Sequence, residues 1–204
     1  MQMIPVFGAW VGVAKLESLN INETLEYVKS LDEQHAYGGD NGTVTVNQRL
    51  LDDSIFENVK TEIEKLTKEY IDIQGHVVEE VKVASSWGNT LRKDEPIHVH
   101  CHPNSYVSGV FYLTEGSPLH FHNPVVIEDL FTFSPLQKWD PNNQHTWQTI
   151  YLEPKPGWIF LFPSKLKHHV EFNENDYRYS IAFNTLPIGT IGDSTKEMNI
   201  KEIR

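Results

Sequence analysis

Between Asp53 and Tyr70 the apolar side chains Ile55, Val59, Ile63, Leu66 and Tyr70 recur at spacings of three and four, which lays one hydrophobic stripe along a helix. A shorter helix is predicted to run to about Leu31, with Asn20 or Asn22 as its cap and Glu23 and Glu26 placed to complement its first turns. Before it, Ile4 to Leu16 is apolar around Gly8 and Gly12 and reads as a first strand. After Ile71 the period changes. His76 to Ser86, His98 to His102, Val107 to Leu113, Trp147 to Leu152, Trp158 to Phe162 and Tyr177 to Phe183 all read as short strands. Turn signals separate them: Pro103-Asn104, Glu115-Gly116, Pro141-Asn142-Asn143 and Pro156-Gly157, with an earlier one from Tyr37 to Gly42. The pattern predicts a mainly β chain with flanking helices, packed beside an antiparallel jelly-roll. One domain over 1–204 is expected, with the first strand and the helices in about 1–72 and the β core in about 73–190.

Composition narrows the partners. Lys and Arg total 17 against 28 Asp and Glu, a net charge of −11. Such a surface repels a phosphate backbone, so nucleic acid is not expected. The longest apolar runs, such as Ile159 to Pro163, fall far short of the ~20 residues of a membrane span, and the opening residues carry no basic region ahead of an apolar one. The single cysteine, Cys101, has no partner for an internal disulfide. A soluble, cytoplasmic protein is expected, without a membrane partner. Oligomeric state is left open, a homodimer included.

The candidate chemistry lies in the segment from Ile97 to Leu113. On an extended strand alternate side chains share a face, so His98, His100 and His102 are expected on one side, with Val99 and Cys101 on the other. Neutral imidazoles each need a hydrogen-bond partner and charged ones repel, so a bound transition metal is the simplest reason to gather three. Lys167-His168-His169 follows the strand ending at Phe162 and can close the sphere from another strand. Two ligands one residue apart plus a distant third is the plan of a facial triad with open positions. His120 and His122 form another same-face pair. Ten residues after His168 stands Arg178, with Ser180 on the same strand face. A guanidinium fork grips a carboxylate in two places and a nearby hydroxyl adds a third contact, which suits a dicarboxylic cosubstrate.

These pieces resemble the 2-oxoglutarate/Fe(II)-dependent oxygenase family of bacteria and their phages, in its prolyl-hydroxylase-like branch. The stretches that carry the likeness are SWGN at 86–89, HCHPNS at 100–105, SGVFYL at 108–113, GWIFLFPS at 157–164, His168 and RYSIAFN at 178–184, with IPVF at 4–7 similar to the family's opening. The resemblance implies a cupin-like double-stranded β-helix. It implies Fe(II) on His100, His102 and His168, and 2-oxoglutarate with its far carboxylate on Arg178 beside Ser180. Tyr112 and Asn89 are implied as further pocket contacts. The wider superfamily usually has a carboxylate as second ligand where this chain has His102, so the triad is neutral unless an acid such as Glu171 approaches. His98 in place of His102, and His169 in place of His168, are the alternative ligands.

The activity implied is oxidative decarboxylation of 2-oxoglutarate coupled to hydroxylation of a peptide or prolyl side chain, or of a small molecule. Residues 121–149, with Trp139 and Trp147, read as an insertion able to clamp a substrate. The competing reading is a cupin-like metal protein without 2-oxoglutarate, acting as an isomerase, a direct dioxygenase or a ligand-binding module. It wants an additional glutamate ligand, for which Glu115 and Glu128 are available. Arg178 is the residue that separates the two readings.

Overall fold

The computed structural model describes residues 1–6, 8–36, 42–124, 148–192 and 195–202. The apolar opening forms two strands, β1 (Gln2–Val6) and β2 (Ala9–Lys15), paired antiparallel with Val6 opposite Ala9. The turn between them contains Gly8 at φ +80°, a conformation that side chains with a Cβ disfavour. A single strand from Ile4 to Leu16 is therefore corrected to a hairpin. Asn20 caps helix α1 (Ile21–Lys29) by accepting from the Glu23 backbone N–H, while its own amide donates to the Glu23 carboxylate at 2.9 Å. Of the two candidate caps, Asn20 is thus the one used. Two short strands, β3 (Glu33–His35) and β4 (Thr43–Thr45), follow, and then helix α2 (Glu57–Ile73), which two turns of 3₁₀ helix precede.

The remaining strands are β5 (Glu80–Arg92), β6 (Ile97–His100), β7 (Val107–Tyr112), β8 (Leu119–His122), β9 (Thr149–Leu152), β10 (Trp158–Pro163), β11 (His168–Val170), β12 (Tyr177–Ile191) and β13 (Met198–Ile200). They form two antiparallel sheets. The larger runs β1-β2-β10-β7-β12-β5-β4-β3, with β13 also paired to β12, and the smaller runs β6-β11-β8-β9. This is the double-stranded β-helix expected from the sequence.

Three layers result. The stripe of α2 buries Val59, Ile63, Tyr70 and Ile71 on one face of the larger sheet, against residues such as Val81, Phe111, Ile181 and Phe183. Each such side chain contributes roughly 1.5–3 kcal/mol of transfer free energy. The other face of that sheet meets the smaller sheet through Val110, Phe160 and Phe162 on one side and Leu119, Phe121 and Val170 on the other. β7 is covered on both faces, and all six of its residues are buried. Gly109 makes that possible. A Cβ placed there would overlap the Phe183 ring and come within 2.9 Å of Leu161 Cδ2 and of the Phe160 carbonyl oxygen. Gly109→Ala is therefore expected to cost about 1–3 kcal/mol through overpacking, lowering the melting temperature by roughly 2–12 °C at ~2–4 °C per kcal/mol. A scan that left the melting temperature of the variant unchanged would show that β7 has slack at this point.

Candidate functional site

Strand register brings the site together. In an antiparallel pair, residues directly opposite project to the same face. Ser180 on β12 lies opposite Tyr112 on β7 and opposite Asn89 on β5, so three adjacent strands of the larger sheet deliver three polar side chains to one patch. Arg178, two residues before Ser180, joins them on that face. On the smaller sheet His168 of β11 lies opposite His100 of β6. The two sheets enclose a cavity of about 450 Å³ lined by His100, His102, His168, Tyr112, Arg178 and Ser180, with Asn89 and Trp87 in its wall.

Ligand nitrogens of His100, His102 and His168 all lie within 4.8 Å of one another. His100 Nδ1–H donates to the His98 carbonyl and His168 Nδ1–H to the Leu166 carbonyl, each at 2.8 Å. Both bonds fix the tautomer and leave Nε2 with its lone pair free, the usual outer support of a metal-bound imidazole. His102 Nε2 is 3.3 Å from His168 Nε2. Two nitrogens each ~2.1 Å from one ion sit about 3 Å apart, so the spacing suits a shared metal. Burial and the neighbouring His100 push the His102 pKa down to about 4, and burial pushes that of His168 well below its ordinary value. These rings are neutral near pH 7, as metal ligation requires.

The structure separates the histidines that the sequence left open. The strand ends at His100, the chain turns, and the His102 N–H donates to the Ser164 carbonyl at 2.8 Å. The expected common face of His98, His100 and His102 is corrected for His98: the pairing of β6 with β11 slips by one residue, Ile97 lying opposite Val170 and His100 opposite His168, so His98 is exposed and stands outside the cluster. His168 is 4% exposed and points inward, whereas His169 groups with His120 and Glu171. Glu171 accordingly does not complete the cavity triad. Cys101 and Glu115 join neither group, while Glu128, Trp139 and Trp147 lie outside the described residues.

At the other end of the cavity Arg178 is 2% exposed. Its Nε–H donates to the Ser117 carbonyl at 3.2 Å and its guanidinium carbon lies 5.0 Å from the Tyr112 ring centroid. Among the described residues no carboxylate pairs with it. A buried cation without a counter-ion is costly, and burial lowers the Arg178 pKa while Tyr112 acts to raise it. Among the described residues the buried Tyr112 hydroxyl makes no hydrogen bond of ordinary geometry, and burial lifts its pKa to about 12 while the charge and close approach of Arg178 act to lower it. An orphaned donor beside an unpaired guanidinium fits a ligand that brings its own carboxylate. Three imidazoles at one end and this pair at the other fit Fe(II) with 2-oxoglutarate.

Sequence reasoning missed the wall formed by Gln34, His35, Thr43 and Val44, from the β3–β4 hairpin, and by Trp87, whose Nε1–H donates to Asn89 Oδ1 at 3.1 Å. Three-residue polar strands leave no periodic signal. Trp87 stands inside the SWGN motif, which marked its neighbourhood.

Residues 85–184 match the family model described as "Putative 2OG-Fe(II) oxygenase". No curated protein matched the chain. Among solved structures, a prolyl-4-hydroxylase of Pseudomonas putida is similar at TM-score 0.60 and 12% identity, over 88% of this chain and 93% of that one. HygX of Streptomyces hygroscopicus, with nickel, 2-oxoglutarate and hygromycin B bound, is similar at TM-score 0.59 and 13% identity, over 87% and 82%. The viral collagen prolyl hydroxylase of Paramecium Bursaria Chlorella virus-1, in a 2-oxoglutarate complex, gives 0.53 and 11%, over 86% and 94%. At these identities the structures speak for the fold, while the family model spans every candidate ligand in the cavity; residues 85–184 belong to the 2OG-Fe(II) oxygenases, enzymes that depend on Fe(II) and 2-oxoglutarate.

Proposed function

We propose that His100, His102 and His168 hold the iron, that Arg178 and Ser180 bind the far carboxylate of 2-oxoglutarate, and that the substrate is a peptide side chain. The observation that carries the reading is the cavity itself, with three inward imidazoles at one end and a buried, unpaired Arg178 at the other. Iron with 2-oxoglutarate and dioxygen supplies the oxidation: one oxygen atom ends in succinate, released with carbon dioxide, and the other in the hydroxylated substrate. The chain's own residues position and exclude. His98 and Leu166 carbonyls hold two of the imidazoles in their binding tautomer, Arg178 fixes the cosubstrate's direction, and Tyr112 is free to donate its hydroxyl proton to a ligand oxygen. Phe162, Leu119 and Val170 give the cavity dry walls.

Size and edges favour a peptide. At about 450 Å³ the cavity is at the low end of the ~300–1,000 Å³ of small-molecule sites, so a bound cosubstrate leaves space for one side chain rather than a large ring system. Beside it β3 is an edge strand among the described residues, and Gln34 and His35 on it reach the cavity. An extended peptide can add to such an edge while one side chain enters the pocket. None of the described helices is long and apolar enough to cross a membrane. The test is incubation of the iron-loaded protein with 2-oxoglutarate, ascorbate and a proline-containing peptide library, read by mass spectrometry and by succinate formation. Peptides gaining one oxygen, with matching succinate, are expected. Oxygen gain in free metabolites alone would sink the peptide reading and leave the oxygenase assignment intact.

A further inference from the structure

The smaller sheet carries histidines on both faces. On β8, Leu119 and Phe121 are buried inward, which turns His120 and His122 outward, and on β11 the inward His168 and Val170 leave His169 outward. His169 lies directly opposite His120, and Glu171 follows two residues after His169. Ligand atoms of His120, His169 and Glu171 lie within 4.8 Å of one another. His122 Nε2 is 2.9 Å from His169 Nδ1, and the rings of both His120 and His122 sit 4.8 Å from that of His169. Among the described residues, Lys167 and Tyr151 also lie near this face.

We propose that this outer face is a second metal site, distinct from the cavity, that takes a zinc-class divalent ion on His120, His169 and Glu171, with His122 holding the His169 ring. Two imidazoles and one carboxylate are a donor set that zinc accepts, with a position left for water. The hydrogen bond between His122 and His169 is the outer support that orients a ligating ring. Register supports the geometry as well. The inward packing of Leu119, Phe121 and Val170 pins β8 against β11, so the opposed pair His120 and His169 is fixed by the core. A metal here ties β8 to β11, whose first residue, His168, faces the cavity.

The site is independent of the assignment made for the cavity, and stoichiometry tests it. Metal-free wild-type protein is titrated with zinc at pH 7.5 against a chromophoric competitor, alongside the double variant His120→Ala/Glu171→Gln and the double variant His100→Ala/His102→Ala. The wild type is expected to take up one equivalent more than H120A/E171Q. The cavity variant is expected to retain one equivalent, with an affinity that falls at least ~10-fold when H120A and E171Q are added. Equal zinc uptake by wild type and H120A/E171Q overturns the proposal. If the cavity variant fails to fold, the comparison of wild type with the surface variant decides alone, since both of its substitutions are outside the core.

Discussion

Replacing Arg178 with Met is expected to weaken 2-oxoglutarate binding by roughly 30-fold to several thousand-fold. Truncating one partner of a buried, hydrogen-bonded charge pair costs ~2–5 kcal/mol, and each 1.4 kcal/mol is about tenfold. The iron should stay, because Arg178 lies on β12 and the three imidazoles lie on β6, on β11 and in the turn after β6. Anaerobic titration of the iron-loaded variant, followed by its visible metal-to-ligand charge-transfer band, separates the two properties. Arg178→Lys keeps the charge but loses the planar fork, and it should fall between wild type and Met. The Met variant offers a second readout. Without cosubstrate the wild type carries a desolvated, unpaired guanidinium, so removing it should cost little stability despite the burial of the side chain. Unchanged affinity in the Met variant would remove Arg178 from the cosubstrate site.

His168→Ala is expected to weaken iron binding by at least ~100-fold, since loss of even an outer support commonly costs 10–100-fold. Succinate formation should drop to background. His120→Ala should leave iron in the cavity untouched, because that ring belongs to the opposite face of the smaller sheet. A sharper comparison concerns His102. His102→Ala removes a donor, whereas His102→Asp supplies a negatively charged one at the same place, so the Asp variant should hold iron where the Ala variant does not. Iron content after desalting, with the charge-transfer band as the marker of the cavity site, measures both. Iron retained equally in H168A, H102A and wild type would place the metal elsewhere.

Much of this was legible because it rests on period and chemistry. The stripe of α2, the buried runs of β7 and β10 and the spacing of His100, His102, His168 and Arg178 are local or nearly local signals. What stayed hidden depends on where a strand stops or how two strands slide. The alternation rule put His98 with His100 and His102, yet β6 pairs with β11 through a one-residue slip, Ile97 opposite Val170 and His100 opposite His168, which leaves His98 outside. The choice between His168 and His169 was equally closed to the sequence, since both are imidazoles on a three-residue strand. The burial of Leu166 and Val170 on either side decides it. Ile4 to Ala14 carried no polar break, so its fold into two strands at Gly8 had no hydropathic mark. Likewise β3 and β4, which wall the cavity, are too short and polar to show a period.

The two ends of the cavity belong to different sheets. The imidazoles at 100 and 168 stand on the smaller sheet, Arg178 and Ser180 on the larger. On the proposed reading, a cosubstrate held at both ends acts as a strut whose length must match the gap between two layers, packed ~10 Å apart in proteins generally. Those layers are set by the cores on either side and do not adjust to the ligand. Discrimination against dicarboxylates one methylene shorter or longer then needs no dedicated recognition residue: the spacing of the sheets is itself the ruler.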